Sequence, residues 1–140
     1  MQTETLAMPA QTLVPIEREA DIVTARQKGR ELAAASGLSA TEQTLIATAI
    51  SELARNIVVY ARRGEVILAP LERNGRRGVL VVARDAGPGI ANPELAMRDG
   101  YSTSNSLGMG LPGARRLMDE FELSSVLGKG TTIVMKKWVR

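Results

Sequence analysis

The spacing of apolar and polar positions changes period along the chain, and each change marks an element. Thr12-Leu-Val-Pro-Ile-Glu17 has short strand character, and Pro15, which lacks an N–H for a ladder, predicts a sheet edge. Residues Arg18 to Ala35 favour helix, and Ser36-Gly37 supplies a stop. Ser39-Ala-Thr-Glu42 reads as a capping box. The helix it opens is predicted to run to about Ala61, because Ile46, Ile50, Leu53 and Ile57 recur at spacings of 4, 3 and 4. After Arg62-Arg63-Gly64 the period shortens. Glu65 to Glu72 predicts a strand, and Asn74-Gly75 a hairpin turn unless Arg73 to Gly78 forms a longer loop. Val79 to Ala83 is an apolar run that predicts a central strand. Asp85 to Asn105 is rich in Gly, Pro, Ser, Asn and Asp and predicts mostly loop. Leu111 to Phe121 predicts a helix with Leu111, Ala114, Leu117, Met118 and Phe121 on one face. Leu123 to Leu127 predicts a strand, Gly128-Lys-Gly130 a turn, and Thr131 to Trp138 the last strand.

The order is β-α-α-β-β-loop-α-β-β. Strands joined by tight turns pair antiparallel, and the helices must bury their stripes on one face of the sheet. The expected fold class is α/β: a two-layer sandwich with a mixed, mainly antiparallel sheet and helices on one face. A doubly wound fold is excluded because regular β-α-β alternation is missing. Residues 1–10 are polar and unpatterned and are expected to form a flexible tail ahead of a single domain spanning residues 11–140.

Composition narrows the chemistry. The 140 residues include no cysteine and no histidine, and aromatic residues make up 3%. Disulfides, thiol nucleophiles, Cys/His zinc sites and a Ser-His-Asp triad are therefore excluded. Any acid–base group must be a carboxylate, Lys, Tyr or the N-terminal amine. The net charge of +3 comes from 18 basic and 15 acidic residues that are interspersed, without the dense basic stripe or aromatic platforms of a nucleic-acid binder. No apolar run approaches the roughly 18 residues of a membrane span, and no signal peptide pattern opens the chain. The expectation is a cytoplasmic protein that engages neither nucleic acid nor membrane.

Four clusters could carry chemistry, and each has an ordinary structural reading beside it. Glu52 and Asn56 are one helical turn apart, roughly 100° to one side of the apolar stripe. A carboxylate there could accept a proton and a side-chain amide oxygen could ligate Mg²⁺ beside substrate phosphates, or Glu52 could simply pair with Arg55 or Asn56 on a helix flank. Asp85-Ala-Gly87-Pro-Gly89 follows the apolar strand. Its carboxylate could accept from an exocyclic amine such as that of adenine, or the segment could be a Pro-Gly turn. Gly108-Met109-Gly110 opens a helix and could leave backbone N–H groups for phosphate, or be an ordinary Gly-rich helix entry. Gly128-Lys-Gly130-Thr131 is a hairpin turn in which Thr131 could also reach a base.

Taken in order, Glu52-x-x-x-Asn56 on a helix, Asp85-x-Gly87-x-Gly89 after a strand, Gly108-x-Gly110 opening a helix and Gly128-x-Gly130-Thr131 in a hairpin resemble the N, G1, G2 and G3 boxes of the GHKL ATPase/kinase superfamily, with its Bergerat-type ATP-binding fold. The short chain resembles the bacterial anti-sigma-factor and switch serine kinases of that superfamily. Asp21 to Gln27, Ala49 to Asn56, Leu111-Pro-Gly113 and Arg116 to Phe121 are most similar to the switch serine/threonine kinases of the stressosome.

The resemblance implies an ATP-dependent protein serine/threonine kinase. Glu52 would be the general base, Asn56 would hold Mg²⁺, and Asp85 would read adenine N6. Gly87 and Gly89 would admit the base, Gly108, Met109 and Gly110 would bind phosphates, and Thr131 would support the adenine site. Residues 92–106 would be the ATP lid. The substrate would be a serine on a STAS-domain scaffold protein, and the released kinase would bind and activate a PP2C-type phosphatase. Anti-sigma kinases carry a basic lid residue near the second glycine box, and Gly100 to Ser106 has none. That departure favours the switch kinases and leaves Arg98, Arg115, Arg116 and Lys129 as candidates for the γ-phosphate. An anti-sigma factor kinase and a non-catalytic nucleotide-binding adaptor are the alternatives.

Overall fold

The structure is a computed structural model and describes residues 11–89 and 110–140. The elements are β1 (Thr12–Ile16), α1 (Glu19–Ser36), α2 (Ala40–Asn56), a π-helical turn (Ile57–Ala61), β2 (Gly64–Arg73), β3 (Arg76–Asp85), α3 (Gly110–Leu117), β4 (Glu120–Val126) and β5 (Gly130–Trp138). Among the described residues five strands form one sheet in the order β1-β2-β3-β5-β4, and every pairing is antiparallel. The expected two-layer α/β sandwich is therefore found, with a sheet more uniform than the mixed one expected.

Local chemistry accounts for most boundaries. Ser39 Oγ accepts from Glu42 N–H at 3.1 Å while the Glu42 carboxylate accepts from Ser39 N–H at 3.2 Å, so the capping box starts α2 as read. Gly37 ends α1 at φ 98°, and its N–H and that of Leu38 take the last helical carbonyls. Asn74 (φ 54°) and Gly75 (φ 80°) join β2 to β3 in a two-residue hairpin turn, the tighter of the two alternatives.

Two boundaries differ from expectation. The turn after Asn56 relaxes from α to π geometry, a bulge form concentrated at functional sites. The helix expected to reach Phe121 stops at Leu117, and Phe121 lies in β4 opposite Met135. The Phe121 side chain reaches the same core from a strand, which is why its spacing mimicked a helical stripe.

Pairing register sets the two faces of the sheet. Val66, Leu68, Val79, Val81, Ala83, Ile133 and Met135 share the face that packs on Ile46, Ile50, Leu53 and Ile57. Each Val, Leu, Ile or Met among them contributes about 1.5–3 kcal/mol on burial. Gly29 of α1 lets the helices close up, because a Cβ there would strike the Ile50 side chain. The span Ala40–Ala61 is 22 residues long and its most apolar 18-residue window has a mean hydropathy of 1.2, long and apolar enough in composition to cross a membrane although no unbroken apolar run of that length occurs in the sequence. Half of its most apolar window is buried inside the fold, the pattern of a core helix.

Candidate functional site

The second half of α2, the end of β3, the start of α3 and the β4–β5 turn meet at one end of the sheet, held by specific contacts. Glu52 is 8% exposed. Its Oε1 accepts from the backbone N–H of Gly110 at 3.0 Å, and its Oε2 faces Arg55 Nη1 at 3.3 Å. The carboxylate thus caps the positive end of α3, where the helix dipole favours negative charge. At the other end, the buried Lys137 Nζ donates to the Leu117 carbonyl at 2.9 Å. Oppositely charged groups therefore pin both ends of an eight-residue helix that would be marginal alone.

Asp85 ends β3, and its Oδ1 accepts from Gly87 N–H at 2.8 Å, closing a turn by its own side chain. The expected reason for Gly87 and Gly89 was access for a flat ring. The structure adds packing against the protein itself. A Cβ on Gly87 would lie 2.6 Å from Ala61 Cβ in the π turn, and one on Gly89 would lie 3.0 Å from the Val126 carbonyl carbon. Pro88 O accepts from Gly128 N–H at 2.7 Å, which ties this loop to the β4–β5 turn. Gly130 has φ 131°, and a Cβ there would lie 2.9 Å from Ala86 Cα. The first and third glycine clusters are thus wedged together, and the π turn packs against Gly87.

Register places Gly64, Asp85, Thr131 and Ser125 in one row across β2, β3, β5 and β4. Thr131 is 6% exposed, and its hydroxyl contacts Ser125 Oγ at 2.9 Å. Ser125 joins this row although the sequence did not single it out, because a lone serine in an edge strand carries no motif. Gly64 was likewise read only as a turn residue, yet a Cβ there would press on Asp85 Cβ at 2.9 Å.

Asn56 is half-buried one turn beyond Glu52. Among the described residues no group of three or more His, Cys, Asp or Glu side chains could hold a metal. A magnesium ion fits only as one whose other ligands come from phosphates and water, with Asn56 offering one oxygen. ATP fits better, since an acceptor, a threonine and a helix N-terminus line one end of the sheet. Gly108, Met109, the lid segment 92–106 and Arg98 lie outside the described residues. Of the basic residues considered for the γ-phosphate, Arg115 and Arg116 ride on α3 and Lys129 on the β4–β5 turn. The guanidinium beside Glu52 is that of Arg55 instead.

The fold and this clustering define an ATP-binding domain of the GHKL type, and the chain belongs to the histidine kinase-like ATPase domain family, whose match spans residues 16–137. Among curated relatives, the chain is 50% identical to the serine/threonine-protein kinase RsbT of Bacillus subtilis, over 95% of this chain and 100% of that one. It is 33% identical to an anti-sigma F factor of Clostridium kluyveri, over 69% of this chain and 70% of that one. The fold also matches part of the crystal structure of the RsbU and RsbW domains of Rv1364c from Mycobacterium tuberculosis, at a TM-score of 0.63 and 20% identity. That match covers 91% of this chain, which spans 32% of the mycobacterial one. The resemblance drawn from the four boxes is borne out, as is the expected enzyme class, a protein serine/threonine kinase using ATP.

Proposed function

We propose that this chain is the switch kinase of a stress-signalling module in the cytoplasm, transferring the γ-phosphate of ATP to a serine of a STAS-domain scaffold protein. Released from that partner, it binds and activates a PP2C-type phosphatase. The observation that carries the reading is the Glu52–Gly110 contact, which puts a carboxylate within hydrogen-bond reach of the helix end assigned to phosphate. Phosphoryl transfer is mostly positioning and electrostatic stabilisation, so a base, a phosphate cradle and an amine-reading carboxylate are a sufficient set.

In this mechanism Asp85 and Thr131 hold the nucleobase, and the N-terminus of α3 takes phosphate oxygens. Glu52 leaves Gly110 N–H to those oxygens and accepts the proton of the incoming serine hydroxyl. Arg55, already beside Glu52, keeps the carboxylate oriented as it turns. A magnesium ion, held by Asn56 and the phosphates, would neutralise charge on the transferring group. The likeness to a serine/threonine-protein kinase over 95% of this chain supports this reading over that of an anti-sigma factor.

The test is incubation with γ-labelled ATP and a serine-bearing STAS-domain protein. Label on the serine is expected. ATP binding without transfer would favour a nucleotide-binding adaptor, and capture of an alternative sigma factor in a pull-down would favour an anti-sigma kinase.

A further inference from the structure

We propose that Arg55 is a catalytic residue that bridges the base and the γ-phosphate, one edge of its guanidinium on Glu52 and another on a γ-phosphate oxygen; this rests on the kinase reading above, with Glu52 as base. In that reaction the serine Oγ forms a bond to the γ-phosphorus while the bond from phosphorus to the bridging oxygen breaks. The electron pair of the broken bond stays on the β-phosphate oxygen of ADP, and the serine proton goes to Glu52. One hydroxyl group therefore stands between a carboxylate and a phosphate, both anions. Like charges at that separation repel, the more so where water is excluded, and a cation that touches both relieves the repulsion.

Among the described residues, Arg55 is the one cation in contact with the Glu52 carboxylate, its Nη1 3.3 Å from Oε2. The other oxygen of the same carboxylate accepts from Gly110 N–H. A single carboxyl group thus separates the guanidinium from the helix end assigned to phosphate. A guanidinium presents five N–H donors in a planar fork, and the pair with Glu52 engages one of its nitrogens. The Arg55 side chain is 37% exposed, so the rest of the fork is open to a ligand. Such forks hold phosphate oxygens through paired, charge-assisted hydrogen bonds. The sequence sharpens the need, because Gly100 to Ser106 carries no basic residue that could meet the γ-phosphate from the lid. If Arg55 served only to pair with Glu52 along the helix, an uncharged donor in its place would leave the affinities for ATP and ADP in their wild-type ratio. The γ-phosphate is the one group that separates those two nucleotides.

The experiment titrates ATP and ADP against the full chain and follows single-turnover transfer of label to a serine-bearing STAS-domain protein. Wild type, Arg55→Gln, Arg55→Met and Arg55→Lys are compared. Arg55→Gln keeps an amide donor for Glu52 and removes the charge. Its ATP-to-ADP affinity ratio is expected to fall roughly ten- to hundredfold, with ADP affinity near wild type. Transfer at saturating ATP is expected to fall by roughly 10²-fold or more. Arg55→Lys, which keeps a point charge without the fork, is expected to lie between that variant and wild type in both readouts. Arg55→Met keeps the apolar stem and gives the same readout if the glutamine variant does not fold. A ratio within twofold of wild type in the folded Gln or Met variant would overturn the γ-phosphate contact, even where transfer is lost, since that pattern belongs to a residue that only orients Glu52; the kinase reading would stand. A wild-type chain that binds neither nucleotide, or binds ATP and transfers no label, would overturn the kinase reading and the role of Arg55 with it.

Discussion

Glu52 Oε1 and Gly110 N are 3.0 Å apart although 58 residues separate them in sequence. That hydrogen bond joins the carboxylate proposed as base to the helix end proposed for phosphate. It also explains why a charged side chain is tolerated at 8% exposure: one oxygen caps a helix dipole and the other faces a guanidinium.

Glu52→Gln separates the chemical role from the structural one. Glutamine keeps an acceptor for Gly110 N–H and cannot take a proton from serine. Phosphoryl transfer is expected to fall by roughly 10²–10⁴, with ATP affinity and melting temperature near wild type. Full transfer in a single-turnover assay would remove Glu52 as base. Glu52→Ala also leaves Gly110 N–H without its acceptor and is expected to cost about 1–3 kcal/mol of stability by chemical denaturation.

Asp85→Asn puts an amide donor where an amine-bearing ring needs an acceptor. Its Oδ1 contact with Gly87 N–H survives, so the loop holds its shape. ATP affinity is expected to drop roughly ten- to hundredfold by calorimetric titration. Unchanged affinity would take Asp85 out of the site.

Gly130→Ala should damage the fold and the site together. The new Cβ would meet the Asp85 carbonyl and Ala86 Cα, at a residue whose φ of 131° disfavours any side chain. A loss of about 2–5 kcal/mol is expected, with nucleotide binding lost alongside. Gly75→Ala, also at positive φ but with nothing within 4 Å of its Cβ, is expected to cost less and to leave binding unchanged.

Lys137→Met tests the other end of α3. Methionine fills a similar volume and leaves the Leu117 carbonyl without its ammonium partner. A loss of about 1–2 kcal/mol is expected, from the hydrogen bond and the helix C-terminal charge. Increased hydrogen exchange should concentrate in α3; uniform exchange across the sheet would argue against the capping role.

Acid should weaken the contacts at the start of β4. Burial pushes the Asp119 carboxyl up, but the Trp138 backbone N–H and the Arg140 guanidinium, with Lys137 nearby, outweigh it and hold it below 3.8. The Trp138 indole N–H, against a smaller opposing effect of burial, and then Arg73 hold Glu120 below 4.5. For a carboxyl depressed in the folded state, the stabilisation is full above the unfolded value and is lost as pH falls through the folded one. Melting temperature is expected to be flat above about pH 5 and to fall as acid passes the ordinary carboxylate range and then the lower folded values. Asp119→Ala should flatten part of that acid limb in a pH series.

Much of the architecture was legible because it rests on local chemistry. The capping box at Ser39, the stop at Gly37 and the Asn74-Gly75 turn each need only neighbours in sequence. The four glycine and carboxylate clusters were legible as well, since their order along the chain matches that of a known superfamily. Phe121 was misassigned to a helix because an apolar spacing cannot say whether a core is reached from a helix or from a strand. Ser125, Gly64 and Lys137 escaped notice because nothing in their neighbours distinguishes them.

The amino-acid sequence by itself determined most of the helices and strands, that they would form a two-layer sandwich, and which clusters could bind a nucleotide. Only the tertiary structure decided how those clusters meet. The antiparallel register of four strands lines up Gly64, Asp85, Thr131 and Ser125, and the docking of α3 on α2 brings Gly110 to Glu52. Both depend on contacts between residues far apart in the chain, whose pairing is set by the shared core and not by any local preference.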